Sequence, residues 1–167
     1  MNQPVQDAAV SSTALRVALG RFATGVTIIS CRAADGSPVG LTANSFNALS
    51  LQPPLVLWSL RDVSPQLSAF LAASHFAVNV LAENQVELSR RFASTLPDKF
   101  SEGLWSDGLG GAPVLGGCAA VFECARVSSQ VAGDHILFIG QVLAVSEAPI
   151  TPLVFQSGHY RMLGEIL

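Results

Sequence analysis

Charged residues are scarce in this chain of 167 residues. Asp, Glu, Lys and Arg together make up 13% of it, against about 25% in an ordinary globular domain, so a monomer has little charged surface to present to water. The basic residues include a single lysine, Lys99, and are scattered too widely to follow a phosphate backbone. The composition therefore predicts a homo-oligomer and argues against nucleic acid as a partner.

Cysteine is also scarce. Cys31, Cys118 and Cys124 are odd in number and lack the Cys-x-x-Cys spacing, which argues against both a disulfide framework and a zinc site. We expect all three to be small residues of the core.

Long apolar runs are absent, although half of the residues are apolar. The apolar fraction is 50% and the mean hydropathy is +0.45, yet no run approaches the roughly 18 consecutive apolar residues of a membrane helix. The first ten residues, MNQPVQDAAV, lack the basic and apolar regions of a secretory signal. We therefore expect a soluble cytoplasmic protein with no membrane partner, made of an N-terminal tail over 1–11 and one domain over 12–167.

Several standard catalytic motifs are missing. There is no Gly-x-Gly-x-x-Gly after a strand and no Gly-x-x-x-x-Gly-Lys, the glycine-rich loops that hold nucleotide phosphates. Gly-x-Ser-x-Gly and His-Glu-x-x-His are absent too. The histidines, His75, His135 and His159, have no carboxylates at ligand spacing, so we expect no metal site. What remains is chemistry carried by an organic cofactor that the protein binds and orients.

The sequence does contain a succession of short β-branched and apolar runs separated by turn residues. They predict strands over 26–32, from 39 onward, and over 55–58, 76–81, 119–131 and 136–145, with one or two more over 152–160. Asp35-Gly36 and Gly133-Asp134-His135 predict hairpin turns. Strands at this hairpin-like spacing favour a closed or nearly closed antiparallel barrel, because closure removes exposed edges.

Three short helices are predicted between the strands. The first is capped within 11–13, and its apolar face has helical spacing, with Leu15, Ala18, Leu19 and Phe22. The second follows Ser64-Pro65 and stops near Ser74, and the third spans 83–93. The stretch over 96–117 contains six glycines and two prolines and is predicted to be a long irregular loop, a kind of segment that is often functional.

Five motifs stand in a characteristic order along the chain. They are Arg-Phe-Ala-Thr-Gly-Val-Thr over 21–27, Pro-Val-Gly-Leu-Thr-Ala-Asn-Ser-Phe over 38–46, Leu-Gln-Pro-Pro-Leu-Val-Leu over 51–57, Phe-Ala-Val-Asn-Val-Leu over 76–81 and Gly-Asp-His over 133–135. Over residues 12–163 this order resembles the short-chain flavin reductases, the reductase components of two-component flavin monooxygenases. The joint occurrence of Thr-Ala-Asn-Ser, Asn-Val-Leu and Gly-Asp-His carries the resemblance more than any one motif.

The resemblance implies a mainly β fold: an antiparallel FMN-binding split β-barrel with Greek-key-like connections and a few short helices. It also implies a homodimer that transfers a hydride from NADH or NADPH to FMN or FAD and passes the reduced flavin to a partner monooxygenase. The sequence leaves the choice between FMN and FAD open. It shows no clear basic pair for a 2′-phosphate, which favours NADH over NADPH.

The resemblance also implies which residues hold the flavin. The residues implied to lie along the flavin are Thr42, Ala43, Asn44 and Ser45. Those implied at the edge of the ring and at the phosphate are Ser59, Leu60 and Arg61. Those implied to lie beside the flavin are Arg91 and Phe92. Small side chains with a few oriented donors suit a flat apolar ring with a polar edge. The alternatives are that Thr42 and Asn44 face solvent and Ser45 forms a bulge, that Arg61 is an exposed strand end, and that Arg91 serves the helix dipole.

A second part of the implied site faces the nicotinamide. Gly133, Asp134 and His135 would lie on the side of the flavin where the nicotinamide stacks. His135 would position it, since hydride transfer needs no obligatory acid or base. The C-terminal residues implied to line the same pocket are Phe155, Gly158 and Tyr160. The alternatives are a solvated turn residue for His135 and barrel packing for the C-terminal residues.

Two other functions remain open on the sequence. A non-catalytic flavin-binding or storage protein would keep Thr-Ala-Asn-Ser but would not need Gly-Asp-His, whose presence favours the reductase. A pyridoxamine-phosphate-oxidase-like enzyme would need several basic residues around a substrate phosphate, and this lysine-poor chain does not show them.

Overall fold

The computed structural model describes residues 10–167, and residues 1–9 of the predicted tail lie outside the described residues. The first helix begins where the sequence predicts it. Ser11 caps this helix, because its Oγ accepts a hydrogen bond from the Ala14 amide at 3.1 Å. The division into a tail over 1–11 and a single domain over 12–167 stays a prediction.

Strands dominate the described part of the chain. The helices are α1 (Ser12–Gly20), α2 (Leu67–Ala72) and α3 (Val86–Ala93), with 3-10 turns at Glu83–Gln85, Lys99–Ser101 and Leu109–Gly111. The strands are β1 (Thr24–Gly25), β2 (Thr27–Arg32), β3 (Pro38–Ala43), β4 (Asn47–Leu51), β5 (Pro54–Arg61), β6 (His75–Val80), β7 (Trp105–Asp107), β8 (Pro113–Leu115), β9 (Ala120–Ala132), β10 (His135–Glu147), β11 (Val154–Gln156) and β12 (His159–Arg161). The predicted mainly β class is confirmed. None of the described helices has the length and apolar character needed to cross a membrane.

Seven strands form one antiparallel sheet in the order β3-β2-β6-β9-β10-β5-β4. Its edge strands, β3 and β4, are joined by the short connection 44–46, but they do not pair with each other in the described part of the chain. The ladder is therefore open, which agrees with the nearly closed form of the barrel that the strand spacing favoured and not with the fully closed one. Smaller sheets are formed by β1, β11 and β12 and by β7 and β8.

The hairpin of β9 and β10 fixes His135 in the sheet. The chain turns through Gly133 and Asp134, and Gly133 has a φ of +63°, which glycine adopts without strain. His135 is the first residue of β10, where it pairs with Ala132 on one side and with Arg61 of β5 on the other. The sequence predicted His135 within the turn, whereas its backbone belongs to the sheet and stands opposite the end of β5.

Two apolar clusters pack against the strands. The first is centred on Trp58, which stacks on Phe138 with ring centroids 4.5 Å apart. The second contains Phe92 of α3 and Leu115 of β8. The three cysteines are buried and free, and burial raises the pKa of each thiol to about 12. Their predicted place in the core is confirmed.

The stretch over 96–117 is not the irregular loop that its glycines and prolines predicted. It contains β7 and β8, and the fully buried Asn79 of β6 holds β8 in place. The Asn79 Oδ1 accepts a hydrogen bond from the Leu115 amide at 2.8 Å, and its Nδ2 donates to the Ile28 carbonyl at 3.0 Å. Because these bonds join residues far apart in sequence, local composition does not reveal them.

The apolar face predicted for α1 is present, but it is not buried. The helix ends at Gly20, before Phe22, and none of its residues is buried. Leu19 and Phe22 are 62% and 71% exposed. Within the described residues, nothing covers this face.

Candidate functional site

One cavity collects most of the residues that the motifs implicate. Its volume is about 680 Å³, within the range of about 300–1,000 Å³ that small-molecule sites have. The wall is formed by the end of β3 and the connection 44–46, the end of β5 and the loop to α2, the end of α3 and the loop after it, and the start of β10. The predicted residues in this wall are Thr42, Ala43, Asn44, Ser45, Ser59, Leu60, Arg61, Phe92 and His135.

The Ser45 hydroxyl bridges the open side of the sheet. Its Oγ accepts a hydrogen bond from the Ser59 amide and donates one to the Ser59 carbonyl, both at 3.0 Å. One side chain thus satisfies the two backbone groups that a neighbouring strand would otherwise pair. Ser45 therefore ties the connection 44–46 to β5 and holds one edge of the cavity.

The Thr42 hydroxyl ties α3 to β3. Thr42 Oγ1 donates a hydrogen bond to the Ser89 carbonyl at 2.6 Å. Farther along α3, Phe92 is 1% exposed, and a Cβ on Gly40 would lie 2.9 Å from its ring. Glycine at position 40 therefore lets α3 approach β3 closely.

The polar groups expected along the flavin thus differ in their availability. The hydroxyls of Thr42 and Ser45 are engaged with the backbone of the protein itself. Asn44 is exposed at the rim of the cavity. The hydroxyls build the frame of the cavity, and the Asn44 amide is the side chain of this segment that stands open to a ligand.

Two cations lie in the wall: Arg61 at the end of β5 and Lys99 in the turn after α3. The Lys99 Nζ donates a hydrogen bond to the Phe92 carbonyl at 3.1 Å. Partial burial lowers the pKa of the Lys99 ammonium from its usual 10.5. A half-buried ammonium that faces a cavity is suited to an anionic ligand group, since such a ligand would compensate its lost hydration.

The imidazole of His135 is oriented by its neighbour in the chain. Its Nδ1 lies 2.8 Å from the Asp134 Oδ1, and 39% of the His135 side chain is exposed. This hydrogen bond, with the charges of a protonated His135 and of Arg61, lowers the pKa of the exposed Asp134 carboxyl. The arrangement holds the ring at the edge of the cavity while leaving it accessible.

Other residues implicated by the motifs lie outside the wall; they are Arg91, Gly133, Asp134, Phe155, Gly158 and Tyr160. The Arg91 guanidinium donates hydrogen bonds to the carbonyls of Lys99 and Asp98, at 3.0 and 2.9 Å, and to the Ser101 hydroxyl at 2.5 Å. Arg91 therefore stabilises the turn that carries Lys99, and it does so from outside the cavity.

The C-terminal residues pack against other parts of the protein. The rings of Phe155 and Tyr160 meet edge to face with centroids 5.5 Å apart, and the Tyr160 hydroxyl lies 2.8 Å from the Ser89 Oγ of α3. Gly158 lies in the turn between β11 and β12 with a φ of +78°. Within this chain Phe155 and Tyr160 take the packing role, and a flavin contact by any of the three residues stays a prediction.

The sequence matches a known family over most of its length. The family model described as the flavin reductase like domain matches residues 19–164. The chain belongs to the flavin reductase like domain family. The resemblance that the motifs indicated is therefore confirmed over nearly the same range.

Curated relatives of this flavin reductase like domain carry related names. The FMN reductase (NADH) SmoA of Agrobacterium fabrum (strain C58 / ATCC 33970) is 41% identical over 150 residues, which are 90% of this chain and 85% of SmoA. The stachydrine N-demethylase reductase subunit Stc3 of Rhizobium meliloti (strain 1021) is 40% identical over 147 residues, 88% of this chain and 64% of Stc3. Another relative from the same organism is covered over 47% of its length. The chain thus spans about half to two thirds of these two Rhizobium proteins.

A solved structure has the same fold. The Streptomyces globisporus C-1027 NADH:FAD oxidoreductase SgcE6, in complex with NAD and FAD fragments, is similar with a TM-score of 0.86 and 35% sequence identity. The similarity covers 91% of this chain and 92% of that one. The predicted split barrel is confirmed as the fold of this flavin reductase like domain.

The cavity also contains residues that the sequence did not single out; they are Leu41, Val63, Ser64, Pro65, Gln66, Ala93, Ser94, Thr95, Leu96 and Lys99. The pattern at Ser64-Pro65 indicates only the start of a helix. Lys99 carried a usable signal, because it is the only lysine of the chain and lies in a stretch predicted to be functional. The approach of Ser94, Thr95 and Leu96 depends on how α3 packs on β3, which no local pattern reveals.

Proposed function

We propose that the chain is an NAD(P)H:flavin oxidoreductase, which transfers a hydride from NADH or NADPH to FMN or FAD and supplies the reduced flavin to a partner monooxygenase. The observation that carries this proposal is a single cavity that combines the segment 42–45, the cations Arg61 and Lys99, and His135 at its edge. Membership of the flavin reductase like domain family supports the proposal. The names of SmoA and SgcE6 agree with it.

The residues of the cavity fit a flavin. Ala43 and Leu60 line it with small or apolar side chains that suit a flat ring, and Asn44 offers a polar group for the edge or side chain of the flavin. Lys99 and Arg61 offer positive charge to the flavin phosphate. A bound flavin would supply the atom that accepts the hydride, and the residues of the chain would hold and orient it.

His135 is proposed to position the nicotinamide. It stands at the start of β10, opposite Arg61, and its ring is fixed by Asp134. Because hydride transfer between the two rings requires no obligatory acid or base, the contribution of His135 is to hold the donor ring close and correctly oriented. Gly133 and Asp134 serve this role indirectly through the turn that presents His135.

The decisive experiment mixes the purified protein with reduced nicotinamide and free flavin under anaerobic conditions. Catalytic bleaching of the flavin absorbance is expected, with many flavin molecules reduced per protein. Parallel runs with NADH and NADPH, and with FMN, FAD and riboflavin, identify the preferred pair. Binding of flavin without turnover by either nicotinamide would leave the non-catalytic flavin-binding protein as the correct function, and would contradict the proposal.

The proposal includes a partner monooxygenase that receives the reduced flavin. Relatives whose names describe reductase components of monooxygenases support it. Such a role requires that the reduced flavin leaves the cavity. Anaerobic ultrafiltration after turnover is expected to find reduced flavin in the filtrate, and its retention with the protein would contradict delivery by diffusion.

We also propose that the protein is a cytoplasmic homodimer. The low charge of the chain and two sets of exposed apolar side chains support self-association. Leu19 and Phe22 belong to the first set, while Val131 and Val145 of the hairpin of β9 and β10 are 76% and 65% exposed. Sedimentation velocity is expected to give twice the mass of one chain, and a monomer at micromolar concentration would contradict the dimer.

A further inference from the structure

Ser89 of α3 is fully buried, and two distant parts of the chain form hydrogen bonds with it. On one side, its carbonyl accepts the hydrogen bond from the Thr42 hydroxyl of β3. On the other side, its Oγ lies 2.8 Å from the Tyr160 hydroxyl of β12. Thr42 lines the cavity, whereas Ser89 and Tyr160 do not. We propose that Tyr160 is a positioning residue for the flavin, which acts through Ser89 by fixing α3 against the cavity wall. The inference rests on the proposed function.

The helix α3 needs a fixed point because it is short. It spans eight residues, about two turns, and a helix of this length has little stability of its own. Phe92 anchors it in the second apolar cluster, but apolar packing is not directional. The two hydrogen bonds at Ser89 are directional, and they join α3 to β3 and to β12. They therefore fix the rotation of α3 and its position along its axis more strictly than packing alone does.

The end of α3 carries part of the cavity. Phe92 and Ala93 line the wall, and so do residues 94–96 of the loop that follows. The Phe92 carbonyl also accepts the hydrogen bond from Lys99 Nζ, so the position of the proposed phosphate contact depends on the position of α3. A shift of α3 would therefore change both the shape of the wall and the place of the ammonium.

The ring of Tyr160 is held by contacts that do not involve its hydroxyl. It packs edge to face on Phe155. The hairpin of β11 and β12 is anchored separately, because β11 pairs with β1 and the Ser157 amide donates a hydrogen bond to the Gly20 carbonyl at 2.9 Å. Removal of the hydroxyl alone should leave the ring and the hairpin in place, so Tyr160→Phe tests the hydrogen bond to α3 by itself.

The test uses the wild-type protein, Tyr160→Phe, Ser89→Ala and the double variant. Isothermal titration calorimetry with FMN gives both the Kd and the number of binding sites per chain. The two quantities separate a positioning role from a merely structural one, because unfolded protein lowers the number of sites, whereas a displaced α3 raises the Kd of the folded molecules. We expect Tyr160→Phe to raise the Kd about fivefold at an unchanged number of sites, as the loss of one hydrogen bond predicts.

The double variant identifies the route by which Tyr160 acts. If the hydroxyl acts through Ser89, Ser89→Ala raises the Kd by about the same factor, and the further change Tyr160→Phe alters it by less than about twofold. An undiminished effect of Tyr160→Phe in the Ser89→Ala protein would mean that the hydroxyl reaches the flavin by another route, such as direct contact, and would overturn the inference. A Kd that Tyr160→Phe leaves unchanged, or a loss of sites alone, would overturn it as well.

Ser157→Ala is the matched control, because it removes another side-chain hydrogen bond of the same hairpin, from the Ser157 Oγ to the Gly20 carbonyl at 3.1 Å. Its Kd for FMN should stay within about twofold of the wild-type value. A loss equal to that of Tyr160→Phe would show that any loosening of the hairpin weakens flavin binding, and would overturn the specific role of Tyr160. Absence of FMN binding by the wild-type protein would overturn the proposed function together with this inference, whereas wild-type binding that Tyr160→Phe matches contradicts this inference alone.

Discussion

The ring of Phe76 occupies the space that a side chain on Gly140 would need. A Cβ at Gly140 would lie 2.8 Å from the Phe76 Cε1 and 3.1 Å from the Cys124 Cβ. Gly140 belongs to β10, which pairs with both β5 and β9 and begins with His135. The packing beneath Gly140 therefore supports the strand that carries the proposed nicotinamide contact.

Gly140→Ala is expected to lower the free energy of unfolding by about 1–3 kcal/mol, because the added methyl group overpacks a full core. Urea unfolding followed by tryptophan fluorescence measures the change. Gly25→Ala is the matched control, since a Cβ there meets nothing within 4 Å. Equal unfolding midpoints for the two variants would show that Phe76 moves aside without cost.

His135→Ala is expected to raise KM for the reduced nicotinamide about tenfold and to leave the Kd of the flavin nearly unchanged, because the side chain is proposed to contact only the nicotinamide. Steady-state kinetics and flavin titration give the two constants. His159→Ala, an exposed histidine outside the cavity wall, is the control. Equal losses in both constants would reject the assignment of His135 to the nicotinamide.

The proposed contact between Lys99 and the flavin phosphate predicts that flavin affinity depends on pH. Burial lowers the pKa of this ammonium below 10.5, and only the protonated form attracts a phosphate. As the pH rises through that lowered pKa, FMN should lose its advantage in affinity over riboflavin. The ionisation of the flavin ring is common to both ligands and cancels in the comparison.

Lys99→Arg provides the control for this pH dependence, since a guanidinium stays protonated throughout the accessible range. The variant is expected to keep the preference for FMN at alkaline pH. If the preference for FMN over riboflavin declines equally in the wild-type protein and in the variant, a group other than Lys99 contacts the phosphate. A preference that is constant in the wild-type protein would remove Lys99 from the phosphate site.

The parts of the fold that the sequence predicted are those determined by neighbouring residues. The hairpin of β9 and β10 follows from two β-branched runs around Gly133-Asp134, and the cap of α1 follows from Ser11. The pairing of β7 with β8 was missed because Asn79, more than thirty residues away in sequence, holds that segment. Strand spacing favoured a closed or nearly closed barrel without distinguishing the two, since strand count does not determine which edges meet.

The candidate site also contains residues that the sequence motifs indicate and residues that they do not. The wall residues in 42–45 and 59–61 were accessible from motifs, because each segment enters the cavity as a unit. Leu96 and Lys99 belong to none of these motifs, because they reach the cavity only through the packing of α3; the one sequence signal for Lys99 is that it is the single lysine of the chain. The motifs also gave Ser45 and Thr42 as ligands of the flavin, whereas the structure engages their hydroxyls with backbone groups.

Ser45→Ala separates these two roles for the serine. If Ser45 acts by bridging the open sheet, removal of its hydroxyl leaves the Ser59 amide and carbonyl without this partner. We then expect a loss of about 1–2 kcal/mol in the free energy of unfolding, since the site is only partly buried. Flavin affinity should fall as well, because the frame of the cavity loosens.

The comparison that decides the role of Ser45 uses urea unfolding and flavin titration on the same variants. Ser45→Thr keeps a hydroxyl and should retain most of the stability, and Ser106→Ala, at an exposed serine, should change neither quantity. A loss of flavin affinity at unchanged stability would mean that Ser45 contacts the flavin directly, as the motifs implied. A loss of stability that accompanies the loss of affinity would mean that the hydroxyl acts on the flavin through Ser59, by holding the two edges of the open sheet together.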